Sequence, residues 1–392
     1  MTIRSAIVLA AGEGQRLRPL TANRPKPMLS AGPKPILEHV FDELIDSGVT
    51  DITVVVGYRR NHVQSHFGST YRNVPLRYVI QEKQLGSGHA LLTAEPETDD
   101  PVLVVYGDQL VDEEIIRDVV SHHDSGQTTA TLGLVNQSDV TEYGGVLLDG
   151  GRVTEIVENP HDDREYRLNA GVYVFEPAIY NAIRTTEPRA GEHSLVDALS
   201  SLIEDGTSVR GVVSDGVWAD ATYPWDLLDI ADDLFEADGS VESQIAPSAS
   251  VHDDATILEP VVVESDCVIG PGAVVGPNVC LGENVTVEAN AAVEHSVLDA
   301  DTRVSLNATL IDCVTGRGVH VGPGSTVVGG PSDVEVGSRI HRNEQLGAVL
   351  ADRVRDGGSV TYGPGSIVGT EAVIRAGSIV DGVIENETEV RG

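Results

Sequence analysis

From Val251 onward an aliphatic residue returns at every sixth position: Val251, Ile257, Val263, Ile269, Val275, Leu281, Val287 and Val293, several of them followed by glycine. Such a period describes short strands turning around a prism, because each inward-pointing aliphatic side chain stacks on the one a full coil away. A stretch of this kind can only grow by stacking copies of itself. The pattern weakens from about Leu298 to Val360 and returns at Val368, Ile374 and Val380. It predicts a repeat domain over 245–392. Ahead of it, Trp225 to Phe235 reads as an amphipathic helix and Glu236 to Ser250 as a polar, small-residue linker, which leaves 1–238 as a separate domain.

That first domain reads differently. Ile7, Val8 and Leu9 form a short buried strand, Ile52 to Val56 is a continuous β-branched strand, and Leu76 to Ile80 and Val102 to Tyr106 follow. Between them, helical patterns cover Pro33 to Ser47, His89 to Ala94 and Glu114 to Val120. Strands alternating with helices predict a doubly wound, mainly parallel α/β sheet, whose ligands sit beyond the carboxyl ends of its strands.

The loop after the first strand, Ala10 to Gly14, contains Gly12 and Gly14, whose freedom to take positive φ lets consecutive N–H groups converge on phosphate oxygens. Arg16, Arg18, Arg24 and Lys26 follow, set among Pro19, Pro25 and Pro27, which keep the segment out of regular helix. A glycine turn backed by fixed cations suits a polyanion. The dinucleotide-binding pattern would need a third glycine where Leu17 stands, and the Gly-Lys-Ser/Thr of the Walker loop is absent.

The whole stretch, L-A-A-G-E-G-Q-R-L-R-P-L-T followed by P-K-P, resembles the signature of the sugar-1-phosphate nucleotidylyltransferases. The resemblance implies that Leu9, Ala10, Ala11, Gly12 and Gly14 cradle a nucleotide, that Arg16 meets the triphosphate and that Lys26 meets the α-phosphate and the attacking phosphate. Gln81 to Ala90, Q-E-K-Q-L-G-S-G-H-A, is similar to the uracil- or thymine-reading segment of the family, above all in the N-acetylglucosamine-1-phosphate uridyltransferases. The matching positions are Gln81, Gly86 and Ser87. Taken alone, this segment reads equally well as a turn in which Ser87 caps the next helix. In V-V-Y-G-D-Q-L the family resemblance implies a sugar contact at Tyr106 and a metal ligand at Asp108, with Asp220 of Trp218-Ala219-Asp220 as the second ligand of a Mg²⁺ ion. Gly144, Glu158 and Asn169 fall in motifs that resemble sugar-contacting stretches. Where the family often has a phosphate-binding lysine this chain has Asn159, and Arg164 or Arg167 is the candidate substitute.

The second domain resembles the hexapeptide left-handed parallel β-helix, so the pair of domains is similar to the bifunctional uridyltransferase/acetyltransferases. The histidine, tyrosine, asparagine and lysine of their acetyl-transfer site align with Leu306, Thr309, Gly330 and Gln345, none of which can replace them. His295, His320 and His341 are too scattered for a zinc site. The expected role is structural, through the trimer typical of the family. The leading expectation is therefore a nucleotidyltransferase joining UTP or dTTP to glucose or N-acetylglucosamine 1-phosphate. The alternatives are a bifunctional enzyme that also acetylates glucosamine 1-phosphate, and a non-catalytic scaffold like the related translation-initiation exchange-factor subunits.

Charge bears on partners. With 61 acidic against 26 basic residues the net charge is −35, which argues against nucleic acid or an anionic membrane as partner. The lysines are Lys26, Lys34 and Lys83, and so acidic and lysine-poor a chain resembles proteins of salt-accumulating archaea. Three separated cysteines, Cys267, Cys280 and Cys313, suggest small buried side chains rather than disulfides or a metal site. No apolar run reaches membrane-spanning length and no signal peptide is recognisable, so a soluble cytoplasmic protein is expected.

Overall fold

The computed structural model describes residues 3–96, 100–124, 127–137, 140–237, 244–337 and 339–391. It divides into two compact units, Met1–Glu13 with Ile36–Asp220, and Gly14–Pro35 with Ala221–Gly392. The cation-bearing loop thus clusters with the hexad region, not with the strand it follows. Of the linker expected over Glu236 to Ser250, 238–243 lies outside the described residues, and Gln244–Ile245 is already a strand.

In the first unit the chain runs β1 (Ser5–Ala10), α1 (Ile36–Asp46), β2 (Asp51–Val56), α2 (Arg60–Phe67), β3 (Val74–Ile80), α3 (Ser87–Thr93), β4 (Val102–Tyr106), β5 (Gln109–Val111) and α4 (Glu113–His122). It continues through β6 (Ala130–Val135), β7 (Gly144–Asp149), β8 (Arg152–Glu158), β9 (Arg167–Phe175), α5 (Ala178–Thr185), α6 (Leu195–Glu204), β10 (Val209–Ser214) and β11 (Trp218–Asp220). The helix expected over Pro33 to Ser47 is α1, which buries Ile36, Leu37, Val40, Phe41 and Leu44. Asp112 caps α4 by accepting from Ile115 N–H.

A ten-stranded sheet carries the unit, in the order β7-β8-β10-β6-β9-β4-β1-β2-β3 followed by the short strand Thr70–Tyr71. Strands β4, β1, β2 and β3 are parallel, as expected, so the loops after Ala10, Ile80 and Tyr106 leave the same edge. Beyond β4 the mainly parallel expectation fails. β9 runs antiparallel to β4 and β6, and β7 and β8 form a hairpin turning at Gly150 and Gly151, both with positive φ. The strand–helix alternation that enforces parallel crossovers stops near residue 120, and tight turns give antiparallel neighbours.

In the second unit, after α7 (Asp226–Ala237), the chain visits three parallel sheets of eight, eight and seven strands in rotation. Each strand pairs with its counterpart one coil later, and the inward side chains, among them Val263, Ile269, Val287, Leu310 and Tyr362, make one buried column. The three cysteines are free and buried. The stack also continues straight through the stretch where the hexad fades. There the coil is one residue shorter, Val279 pairing with Ser296 where Val261 pairs with Val279, and the hairpin Pro331–Val336/Arg339–Gln345 interrupts one coil. Both features shift the register of a fixed six-residue period without disturbing the column.

Candidate functional site

Within the first unit the loop expected to meet phosphate opens at the end of β1. Ala11 carbonyl accepts from Gln84 Nε2 at 2.9 Å, a tether that sequence reading did not assign. The two glycines differ. Gly12 is not at positive φ, and a Cβ there would meet nothing within 4 Å, so its role is open approach. Gly14 alone takes the left-handed conformation, at φ 66°.

The segment proposed to read the base is held from behind. Gln81 is buried, and its Nε2 donates to Gly86 carbonyl (3.0 Å) and lies 3.0 Å from His89 Nδ1. The Gln81 amide is thus fixed in orientation by the loop it precedes. Gly86 is at φ 93°, and a Cβ there would lie 2.6 Å from His193 carbonyl oxygen. Ser87 does not cap its own helix; its Oγ accepts from Leu195 N–H at 3.0 Å, tying the start of α3 to the start of α6.

The two aspartates expected to share a cation are neighbours. β5 and β11 form a two-stranded antiparallel ladder with Asp220 opposite Gln109, so the backbone brings Asp220 beside Asp108 although the residues are far apart in sequence. Trp218 anchors this ladder by donating its indole N–H to Ala170 carbonyl at 3.2 Å and packing edge-on against Tyr143. No group of three or more His, Cys, Asp or Glu side chains able to hold a metal is found among the described residues. Mg²⁺ commonly uses one or two carboxylates together with substrate phosphates, so the pair fits a substrate-completed site.

The proposed sugar contacts converge on the same unit. Gly144 pairs with Glu158 across the β7–β8 hairpin, and a Cβ at Gly144 would lie 3.4 Å from that of Asn169. Asn169 Nδ2 donates to Tyr173 hydroxyl at 2.7 Å, and the Tyr173 ring meets Tyr106 edge-on. Burial pushes both phenols up, so they remain hydrogen-bonding hydroxyls. Burial, and then Asp197, raises the Glu158 carboxyl. Gly171 explains the glycine of its motif: at φ 71°, a Cβ would strike Gln109 Oε1 and the Tyr106 ring. Arg164, with Arg167 a candidate substitute for the missing lysine, pairs at the surface with Glu155 and Asp162.

The cations of the loop belong to the second unit. Lys26 is buried and packs against Gly14, where an added Cβ would come within 2.7 Å of the lysine Cβ; Thr21 Oγ1 donates to Gly14 carbonyl at 2.8 Å. Arg16 lies over the Tyr223 ring, 5.7 Å from its centre, and Tyr223 in turn stacks on Trp225 and packs at a tilt against His341 of the inserted hairpin. Arg24 reaches two buried carboxylates, Asp299 and Asp352, of the stack. The reach of Arg24 carried no local signal, since its partners lie hundreds of residues away.

The scattered histidines have structural partners. His295 bridges Asp232 of α7 and Asp312, and its ring is pushed up to about 10 by its bonds to those carboxylates. His320 lies 3.2 Å from Ser305 Oγ. Gln345, at the place of the acetyl-transfer lysine, donates to Asp312.

Residues 5–237 match the family described as Nucleotidyl transferase, and residues 257–384 match the GMPPB C-terminal domain. The chain is 37% identical over 225 residues to the UTP–glucose-1-phosphate uridylyltransferase AglF of Haloferax volcanii, covering 56% of this chain and 92% of that protein. It is 34% identical over 408 residues to the bifunctional protein GlmU of Methanococcus maripaludis strain C7, covering 98% of this chain and 96% of that one. The low-salt glycan biosynthesis nucleotidyltransferase Agl11 of H. volcanii is 34% identical over 257 residues, 64% of this chain and 70% of Agl11. Among solved structures, UDP-glucose pyrophosphorylase complexed with UDP-glucose superposes with a TM-score of 0.54 at 22% identity, over 60% of this chain and all of that one, a likeness of fold.

Proposed function

The chain belongs to the nucleotidyl transferase family, and from that membership we propose that it condenses UTP, in preference to dTTP, with glucose 1-phosphate or N-acetylglucosamine 1-phosphate, releasing pyrophosphate. That it is a nucleotidyltransferase forming nucleotide sugars follows from the family and from relatives named for this activity. The observation that carries the site assignment is the ladder joining Asp220 to the residue after Asp108.

The sugar phosphate is already an anionic nucleophile, so positioning and charge compensation carry the reaction and no general base is needed. In this reading Arg16 holds the triphosphate and the departing pyrophosphate. Lys26 lies on the α-phosphate and the attacking phosphate as a compact point charge. Leu9 to Gly14 cradle the nucleotide; Gln81, Gly86 and Ser87 select a uracil or thymine edge. Tyr106, Gly144, Glu158 and Asn169 receive the sugar. Asp108 and Asp220 would hold Mg²⁺, which when bound neutralises charge on the phosphates.

We further assign the three-sheet stack to the left-handed β-helix class, with assembly as a trimer and a cytoplasmic setting. The charge of −35 supports adaptation to high salt, and unfolding on transfer to dilute buffer is the expected result. A second, acetylating activity is not favoured, because Leu306, Thr309, Gly330 and Gln345 supply neither base nor amide in the expected places.

Pyrophosphate release measured for UTP and dTTP against a panel of sugar 1-phosphates tests the proposal. Chelation of divalent cations should abolish the signal, and Asp108→Asn should lower kcat by about 10²-fold. Full activity of that variant would remove the metal assignment.

A further inference from the structure

The segment between β1 and α1 carries both proposed phosphate cations, and its regular structure is two single turns, Gln15–Leu17 and Lys26–Met28, and one short hairpin, Ser30–Ala31 with Lys34–Pro35. Its internal bonds are mostly local, within single turns and that hairpin, and ordering such a segment opposes conformational entropy. Contacts beyond these turns contribute to its conformation.

Arg24 is the point of attachment. Its side chain leaves the loop and is buried, with Nη1 donating to Asp299 Oδ2 and Nη2 to Asp352 Oδ1 at 2.7 Å. The two carboxylates belong to different coils and are themselves held. Asp299 Oδ1 accepts from Ala300 N–H (2.7 Å) and from Ser30 Oγ of the same loop (3.2 Å), and Asp352 Oδ1 accepts from Arg317 N–H (3.0 Å). Room for Asp352 exists because Gly316 stands at the intervening corner; a Cβ there would lie 2.5 Å from Asp352 Oδ1. Two preset acceptors facing one planar fork suit arginine and not lysine, whose single ammonium is a point charge.

The attachment is mechanically short. Arg24, Pro25 and Lys26 are consecutive, and proline fixes φ on both sides of the lysine. Lys26 packs on Gly14, and Gly14 caps the turn that holds Arg16. A continuous series of contacts therefore runs from the stack carboxylates to both cations.

We infer that Arg24 is a positioning residue for nucleotidyl transfer: clasped by Asp299 and Asp352, it fixes the conformation of the loop that carries Arg16 and Lys26. This rests on the transferase reading for its kinetic consequence but not for its structural one.

The test compares Arg24→Met, Arg24→Lys, Asp299→Asn and Asp352→Asn in the full chain, by steady-state kinetics with UTP and glucose 1-phosphate and by hydrogen exchange. Arg24→Met should lower kcat per folded molecule about 100-fold, the scale of a misplacement near 1 Å, with the KM for sugar phosphate moving by less than about threefold. Amides of 14–35 should exchange at least about tenfold faster while the stack's amides keep their protection. Arg24→Lys should recover no more than about tenfold of the loss, because it meets one carboxylate at a time. A kcat within about twofold of the parent, or unchanged exchange over 14–35 in a folded variant, overturns the inference. Should Arg24→Met fail to fold, Arg24→Lys and the two asparagine variants decide by the same criteria. If the parent protein releases no pyrophosphate with any substrate pair, the functional reading fails, and exchange alone still decides whether the clasp sets the loop.

Discussion

The two units solve opposite problems with the same backbone chemistry. In the three-sheet stack every coil repeats its neighbour, the apolar column is continuous, and contacts fall at a nearly constant separation along the chain. In the sheet unit no spacing recurs; Gly144, Glu158, Asn169, Tyr106, Asp108 and Asp220 are brought together by crossovers and hairpins of different lengths. A repeat distributes stability evenly and concentrates little chemistry. An irregular sheet concentrates chemistry at its strand ends. Substitutions should therefore separate into those that change rate and those that change stability, with the loop 14–35 as the place where the distinction breaks down.

The sharpest separation is expected at Lys26. Lys26→Ala should lower kcat by about 10²–10³-fold, the loss typical of removing one preorganised charge-stabilising group, while the melting temperature moves by less than about 2 °C. A large drop in melting temperature would mean that the lysine is chiefly packing. The reverse pattern should appear at Leu310, fully buried in the column: Leu310→Ala should destabilise by about 2–5 kcal/mol in denaturant titrations, with kcat per folded molecule unchanged.

His295 tests the polar side of the stack. Its pKa is raised from 6.5 to about 10 by Asp232 and Asp312, so its stabilising contribution is fully present below the unfolded-state value near 6.5 and is lost as pH rises through about 10. The difference in melting temperature between the parent and His295→Ala should hold steady up to pH 6 and shrink toward pH 10; a difference that grew with pH would reverse the assignment. Smallest of all, Arg164→Ala should leave both melting temperature and the KM for sugar phosphate within error, because its ion pairs with Glu155 and Asp162 are exposed. A raised KM would restore Arg164 as the substitute for the missing lysine.

Legibility in the sequence followed the same division. The column was readable because one side chain per short strand faces inward, and periodicity records this directly; it faded only where a coil drops one residue or the Pro331–Gln345 hairpin intervenes. The strand-end motifs were readable as residues, and the backbone pairing sets Asp220 opposite Gln109, the residue after Asp108. The backbone choices behind them were not. Nothing local distinguishes Gly12, in ordinary φ, from Gly14, in left-handed φ, since tertiary packing of Lys26 against Gly14 decides it. Ser87 could be read as a helix cap, but its bond to Leu195 depends on an element about a hundred residues later. The reach of Arg24 to Asp299 and Asp352 spans even more of the chain.

Gly316 has no side chain, belongs to none of the proposed substrate motifs and sits at a corner of a repeat, yet the second carboxylate of the clasp occupies the volume its methyl would fill. A mutation from glycine to alanine there would be silent by every measure of motif integrity, with the whole phosphate signature left unaltered. Divergence among such chains could thus be governed by a vacancy outside every signature motif, and a homologue carrying a bulkier residue at that corner should be expected to have lost its arginine fork as well.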